Sequence, residues 1–517
     1  MKGRQEGAVT KRDTGHGSFP SGGHRVGRML TGIALSRHGP VPAEAGAGPR
    51  RENPGMTKKE IMSQPTDRLD RRVWIIAAAC SCGPLMSGLD STMVNVSLDT
   101  LSSVFGAPLG TTQWVTSGYL LALALALPLS GWLVDRVGAR RIFLGCFAGF
   151  ILCSVLSGFA TSIQLLILCR VLQGIAGGLL APMMQMMMAR HAGRHMARVI
   201  GVAAMPVMIG QMFGPSLGGL ILGHLGWRWI FFVNVPVGLL AIGFAWFALP
   251  RDEITSSRRL DLLGFAMISP GLALLLEGLV SLAHGDATAP FSLVASIALL
   301  YGFARHALRR PATALIDLRL FRAPIFRAAA STQFLSNAIN FGGQLLLPLW
   351  FLQVRQESPT TTGLMLAPLG LGIFFALPIM GRLSERFGPR AISGAGAALS
   401  LIGTLPFAFA SAETPYFILG LALFVRGFGG GSITIPSAAA AYSSVPRESL
   451  GHATTSINIC QRFGGPTGSA GLAIFLQFAL TYAATTTAAY HWAFWALAAT
   501  AAAGLLAASR LPGRTAR

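Results

Sequence analysis

Apolar residues run along this chain in blocks of about twenty, the length at which a helix spans the hydrocarbon core of a bilayer. From Val73 onward six blocks cover 73–97, 111–134, 141–160, 163–188, 198–223 and 228–249. Two follow at 260–282 and 289–307, and six more at 327–352, 360–381, 390–411, 415–441, 450–480 and 489–509. The pattern predicts fourteen transmembrane helices. A soluble protein with buried helices would instead show apolar runs of about 10–14 residues, each with a polar face. The first 72 residues hold no such block and are rich in Gly, Arg, Pro and His. They read as a disordered cytosolic tail without the apolar core and cleavage site of a secretory signal. Met56 and Met62 are alternative starts, because each opens a charged stretch leading into the first helix.

The loops test the phase of this assignment. With the amino terminus in the cytosol, the inside loops from residue 134 onward and the carboxyl tail hold 22 arginines, and the outside loops hold only Arg228 and Arg355. So strong a positive-inside bias survives only if the helices are counted in the right phase. Both termini are therefore expected inside. Composition agrees: 52% of the 517 residues are apolar and 12% charged, where a soluble domain carries about 25% charged residues. The net charge of +21 would suggest nucleic acid in a soluble protein. Here the basic residues sit in short loops rather than with aromatics on a polar face, so no nucleic-acid partner is expected. Cys80, Cys82, Cys146, Cys153, Cys169 and Cys460 all fall inside the blocks without recurring zinc-ligand spacing, and read as small apolar residues. No metal is expected.

The chain also repeats itself. The pattern G-x-L-x-[DE]-R-x-G-x-R occurs after the second block (Gly131, Asp135, Arg136, Gly138, Arg140, then Arg141) and again after the tenth (Gly381, Glu385, Arg386, Gly388, Arg390). A second match pairs Arg170 to Gly174 with Arg426 to Gly430 at nearly the same offset, each followed by a proline, Pro182 or Pro436. Two motifs at one offset predict two related six-helix bundles, the arrangement by which secondary transporters open a midplane site alternately to each side. The expected organisation is a tail over 1–72, a bundle over 73–249, two inserted helices and a linker over 250–326, a second bundle over 327–509 and a tail over 510–517.

With these residues in place the chain resembles the major facilitator superfamily, specifically its fourteen-helix drug:proton antiporter branch. The loop at 131–141 matches the superfamily signature between the second and third helices. Arg170 to Gly178, with Gln173 inside it, resembles the proton-linked motif of the fourth. Gly210, Gly214, Pro215, Gly218 and Gly219 fit the antiporter signature of the fifth. Leu89 to Asn95 is close to the first-helix pattern, Trp227 to Gly238 to the sixth-helix entrance, Asp317 to Phe321 to the amphipathic central linker, and Arg462 to Gly465 to a thirteenth-helix motif. The likeness covers about 70–510. It departs where the first-helix pattern continues to a proline and this chain has Asp99. It departs again where the second half lacks a counterpart of Arg141 and of Gln173, so the proton step is expected in the first half. The resemblance implies an all-α integral membrane protein with the major facilitator fold, two pseudo-symmetric six-helix bundles plus two inserted helices, in a bacterial cytoplasmic (inner) membrane. A periplasmic adaptor and an outer-membrane channel are admitted as partners.

An ionisable group at the bilayer centre costs roughly 2.5–3.5 kcal/mol, so each one is a functional candidate. At about 1.5 Å per residue, Asp90 and Arg170 both lie roughly 10 Å below the outer surface. They are expected to share one site, with Gln173, for proton coupling: burial disfavours the charge on Asp90 and Arg170 favours it, so protonation can follow conformation. A structural role for Asp90, bonded to backbone or hydroxyl neighbours, is the alternative. Gly131, Asp135, Arg136, Gly138, Arg140 and Arg141 are expected to form a cytosolic gate, the resemblance implying a latch. The glycines at 210, 214, 218 and 219 are expected on one helical face for close packing; the resemblance adds leak prevention. Asn95, Trp114, Glu277, Asn337, Asn340, Arg426 and Arg462 are candidates for a substrate cavity. For Glu277 the competing reading is a loop-edge position, and for the two arginines it is capping of backbone carbonyls. The methionine-rich run 183–188 reads as helix surface or as a binding face.

No G-x-x-x-x-G-K-[ST] loop supplies ATP binding, and no nucleophile–base pair lies in the spans, so neither an ATP-driven pump nor an enzyme is expected. The sequence reads as a proton-coupled exporter of drugs or other lipophilic small molecules, needing no cofactor beyond the proton gradient. The alternative is an uptake or facilitated-diffusion permease for a small metabolite.

Overall fold

The computed structural model describes residues 70–192, 195–250, 260–284, 286–310 and 314–513. The tail expected before Val73 lies outside the described residues except for its last three positions, as do residues 251–259 and the last four. The described chain is helical, with no strand among the described residues. In a bilayer every backbone N–H and C=O must be satisfied within the protein, which leaves helices as the solution for blocks this long. Polar residues just before the blocks begin several of them. Asp70 accepts from the Arg72 N–H, Ser162 from Leu165 and Thr485 from Ala488.

The first half runs α1 (Arg71–Val96), α2 (Leu98–Phe105), α3 (Leu109–Thr112), α4 (Trp114–Ala126), α5 (Leu129–Val137), α6 (Ala139–Gly158), α7 (Ile163–His191), α8 (Met196–His224), α9 (Arg228–Phe232) and α10 (Asn234–Ala248). Next come α11 (Leu262–His284) and α12 (Ala289–Arg309), then a 3-10 turn at Leu318–Arg322 where an amphipathic linker was expected. The second half holds α13 (Pro324–Gln353), α14 (Pro359–Phe387), α15 (Pro389–Thr404), α16 (Tyr416–Ser443), α17 (Leu450–Tyr482) and α18 (Thr486–Ser509).

One predicted span is bent. The second bends by 58° between α4 and α5, where Pro128 has no N–H to continue the ladder. The sixth runs as one span from Arg228 to Ala248, with Val233, in helical dihedrals, between α9 and α10. Among the described residues, eleven helices are long and apolar enough to cross a membrane, or twelve when the bent pair counts as one. Helices α13 and α17, of 30 and 33 residues, are long enough but too polar for that test. Both hide their polar side chains inside: Thr332, Gln333, Ser336 and Asn337 on α13, and Thr454, Thr455, Ser456 and Asn458 on α17. These helices face protein more than lipid.

The packing repeats between the halves. In the first, α1 packs on α7 and α8, α7 also on α4 and α6, and α10 on α1 and α6. In the second, α13 packs on α16 and α17, α16 also on α14 and α15, and α18 on α13 and α15. The halves then meet through equivalent pairs, α8 with α14 and α17 with α5. Helices α11 and α12 pack on each other, and α11 also touches α4 and α17.

Candidate functional site

Five spans converge on Asp90, which is fully buried on α1. Arg170 Nη1 on α7 donates to its Oδ2 at 2.5 Å. Asn234 Nδ2, the first residue of α10, donates to Oδ1 at 2.7 Å, and Gln173 Nε2 reaches the same oxygen at 3.4 Å. Ser154 Oγ on α6 accepts from both Asn234 and Gln173 at 3.0 Å. Arg170 is held from the other side too: its Nη1 donates to Gln173 Oε1 at 2.7 Å and its Nε to the Val115 carbonyl of α4 at 3.2 Å. Its guanidinium lies over the Tyr119 ring at 4.2 Å. Arg170, Gln173 and Ser154 have no exposed surface and Asn234 has 3%. A charge pair taken this far out of water persists because its remaining hydrogen-bonding positions are largely occupied. Arg170 Nη2 alone finds no partner among the described residues.

The helical-depth argument brings Asp90 and Arg170 to one level, and the structure brings them into contact, with Gln173. It adds Ser154, Tyr119 and Asn234. Val115 and Tyr119 lie in the first two turns of α4, and Asn234 opens α10.

The repeated loop motifs lie at the arginine-rich end, and their glycines do two different jobs. Gly138 and Gly388 take φ of +103° and +86°, the region that favours glycine, at the tight junctions α5–α6 and α14–α15. Gly131 and Gly381 instead allow the halves to touch. A Cβ on Gly131 would stand 2.9 Å from the Gly451 carbonyl group at the start of α17, and one on Gly381 would stand 2.8 Å from the Ala197 carbonyl oxygen at the start of α8. The acid of each motif follows the same symmetry. The Asp135 carboxylate lies against Gly451 and accepts from Arg190 Nη2 at 3.1 Å, while Glu385 meets His195 Nδ1, at the N-cap of α8, at 3.0 Å. Each carboxylate thus faces the positive end of a helix from the other half. Arg140 donates to the Trp246 carbonyl at 2.5 Å and lies over the Trp246 ring, which ties the junction to α10; Arg136 and Arg141 are exposed.

Just inside this contact, Gln185 of α7 accepts two hydrogen bonds from the second half. Tyr442 Oη donates at 2.7 Å and Asn458 Nδ2 at 2.8 Å. Ser130 and Thr455 hydroxyls pair at 3.0 Å beside it. Sequence reading missed this clamp. Gln185 stands inside the methionine-rich run, and its five methionines are buried in the core of that end instead of forming a binding face.

The remaining candidates are spread out. On α8, Gly210, Gly214 and Gly218 press onto α1 at Leu85, Thr92 and Met93, while Gly219 faces open space and Pro215 is exposed. Gly219 is one residue, about 100° of helix, off the stripe, so the expected face holds three glycines. Arg426 is buried and caps one carbonyl and one hydroxyl: Nη2 donates to Ile339 O at 2.8 Å and Nε to Thr404 Oγ1 at 3.2 Å. Asn337 donates to the Gln333 carbonyl, and Asn340 lies against Gly430. Asn95 and Trp114 are exposed, as is Glu277, which accepts from Ser281 at 2.9 Å. Arg462 is half-buried on α17, within electrostatic range of the Tyr119 hydroxyl.

Two packed, equivalent helical halves, the first of which holds a buried charge network, form the architecture of a membrane transporter. A model of the Major Facilitator Superfamily matches residues 80–469, and the chain belongs to that family. It is 36% identical over 444 residues to a Multidrug resistance protein B homolog of Mycobacterium tuberculosis, covering 84% of this chain and 82% of that protein. It is 32% identical over 378 residues to the Putative multidrug resistance protein MdtD of Salmonella typhimurium, covering 71% and 77%. Among solved structures, the human organic anion transporter MFSD10 (TETRAN) superposes with a TM-score of 0.60 at 16% identity, over 86% of this chain and all of that one. The proton:xylose symporter XylE superposes with 0.58 at 16% identity, over 84% and 94%. Those two likenesses concern the fold.

Proposed function

We propose that this protein is a proton-coupled exporter of lipophilic small molecules, working by alternating access, with Asp90 as the carboxyl that takes up and releases the proton. The observation that carries the reading is the closed network around Asp90. Protonating it removes the charge that Arg170 pairs with and the acceptor that Asn234 and Gln173 share, so contacts between α1, α7 and α10 change with one proton. That is the bistable element an exchanger needs: proton and substrate each favour a different arrangement of the same helices. The names of the mycobacterial and Salmonella relatives support drug export over metabolite uptake.

The arginine-rich end is the cytosolic one in this reading, by the positive-inside bias, and the chain crosses a bacterial inner membrane fourteen times with α13 and α17 among the spans. The Gln185 clamp and the paired motif contacts then close the cytosolic side, and the state described is the outward-facing one. A Glu413→Cys protein is expected to react with a membrane-impermeant maleimide in intact cells and an Arg386→Cys protein only after permeabilisation; the reverse pattern rejects the orientation. The function itself is tested by a compound panel on a pump-deficient strain, with and without a protonophore. Tolerance to some compounds is expected to rise and to vanish with the protonophore, and unchanged tolerance throughout rejects export.

A further inference from the structure

Helix α17 turns one stripe toward the first half: Gly451, Thr455, Asn458 and Arg462, spaced four, three and four residues apart, which is one helical face. Three of the four positions meet a partner on that half. Gly451 lies against Gly131, Thr455 bonds Ser130, and Asn458 bonds Gln185. Arg462 is the fourth and makes no hydrogen bond or ion pair among the described residues. It lies one turn, about 6 Å, beyond the clamp, and about 18 Å along the helix from Leu450, so its charge stands deep in the span. Asn458 is 3% exposed, yet Arg462 keeps accessible surface. The packing between the halves therefore opens where the arginine begins.

On the first half, the fully buried Tyr119 of α4 marks the charge network nearest to Arg462. Asp90, Arg170 and Arg462 all lie within electrostatic range of that hydroxyl. Two guanidiniums and one carboxylate leave this cluster with one net positive charge while Asp90 is ionised. Arg426, the other cation at depth in the second half, is bound to a carbonyl and a hydroxyl and brings no acid with it. A cationic substrate entering between the halves would add to an uncompensated charge, and an anionic one would neutralise it.

We propose that Arg462 is the counter-charge for an anionic substrate, so that the protein carries amphipathic organic anions: one carboxylate or sulfonate on an aromatic or aliphatic body. The proposal rests on the exporter reading and narrows it. A guanidinium presents a planar fork to such a group, while the surrounding apolar helices accommodate the body.

Two probes with the same aromatic body and permanent opposite charge test it: 2-naphthalenesulfonate and 2-naphthyltrimethylammonium. Binding is measured to the purified full-length protein in phosphatidylcholine nanodiscs. The sulfonate is expected to bind and the ammonium to bind at least about tenfold more weakly. Arg462→Gln is expected to weaken the sulfonate by about tenfold or more and to leave the ammonium no weaker, and Arg462→Lys, which keeps the charge, to retain the preference for the anion. Equal or tighter binding of the ammonium, an unchanged sulfonate affinity in Arg462→Gln, or no binding of either probe overturns the proposal. The comparison of the two probes on the unmodified protein stands even if a variant does not fold. Protonophore-sensitive export of cations alone would reject the anion site and keep the exporter, whereas loss of all proton-dependent export would reject the exporter.

Discussion

Each oxygen of the Asp90 carboxyl, buried in the interior of the first half, is supplied with a donor. Arg170 serves one and Asn234, with Gln173, the other. Removing a donor from a buried hydrogen-bonded group costs about 1–3 kcal/mol. Asn234→Ala is expected to lower the thermal unfolding midpoint, read by tryptophan fluorescence. Paired with Asp90→Asn, its effect should fall short of additive, because both changes act on one network; full additivity would place Asn234 outside it. Asp90 and Arg170 were legible in the sequence, since charges inside apolar blocks are rare and helical rise assigns them a depth; Gln173 entered only through the motif resemblance. Asn234, Ser154 and Gln185 were not legible. Neutral polar residues are common in membrane helices, and only convergence from α6, α7, α10, α16 and α17 singles these out.

At the scale of elements, prolines and glycines decide where the helices bend and how closely they approach. Pro128 divides the second span at a 58° bend, and Gly210, Gly214 and Gly218 let α8 press onto α1. The repeated motif appeared in the sequence as a glycine-flanked charged loop, expected to gate the cytosolic side. The structure assigns its tight turns to Gly138 and Gly388 alone, and gives Gly131 and Gly381 to the contact between halves. Sequence spacing could not separate the two uses, because one depends on backbone angle and the other on a helix more than 180 residues away in the chain. Closure at this end also depends on Gln185. With spin labels at His191→Cys and Phe387→Cys, on the ends of α7 and α14, the unmodified protein is expected to give one short distance. Gln185→Ala is expected to add a longer population, because Tyr442 and Asn458 lose their shared acceptor. An unchanged distribution would mean that the glycine contacts alone hold this end.

For the molecule as a whole, the helical pattern, the arginine bias and the internal repeat already described two related halves with two helices between them. The structure supplies the interface, built twice over from equivalent pairs, α8 with α14 and α17 with α5. Both pairs are formed together in the state described; in the proposed exporter the halves rock about this interface and protonation of Asp90 biases the state occupied. The relatives' resistance names agree with that machine but leave its energy source to experiment. The central claim is that Asp90 couples transport to protons, and transport by Asp90→Asn in proteoliposomes tests it most directly. Because the neutral side chain leaves Arg170 buried without its charge partner, at a cost of about 3–5 kcal/mol, the Asp90→Asn/Arg170→Gln double variant is measured alongside. With an imposed pH gradient, both variants are expected to lose substrate accumulation against its gradient while keeping downhill exchange. Full gradient-driven accumulation by either variant would contradict the account.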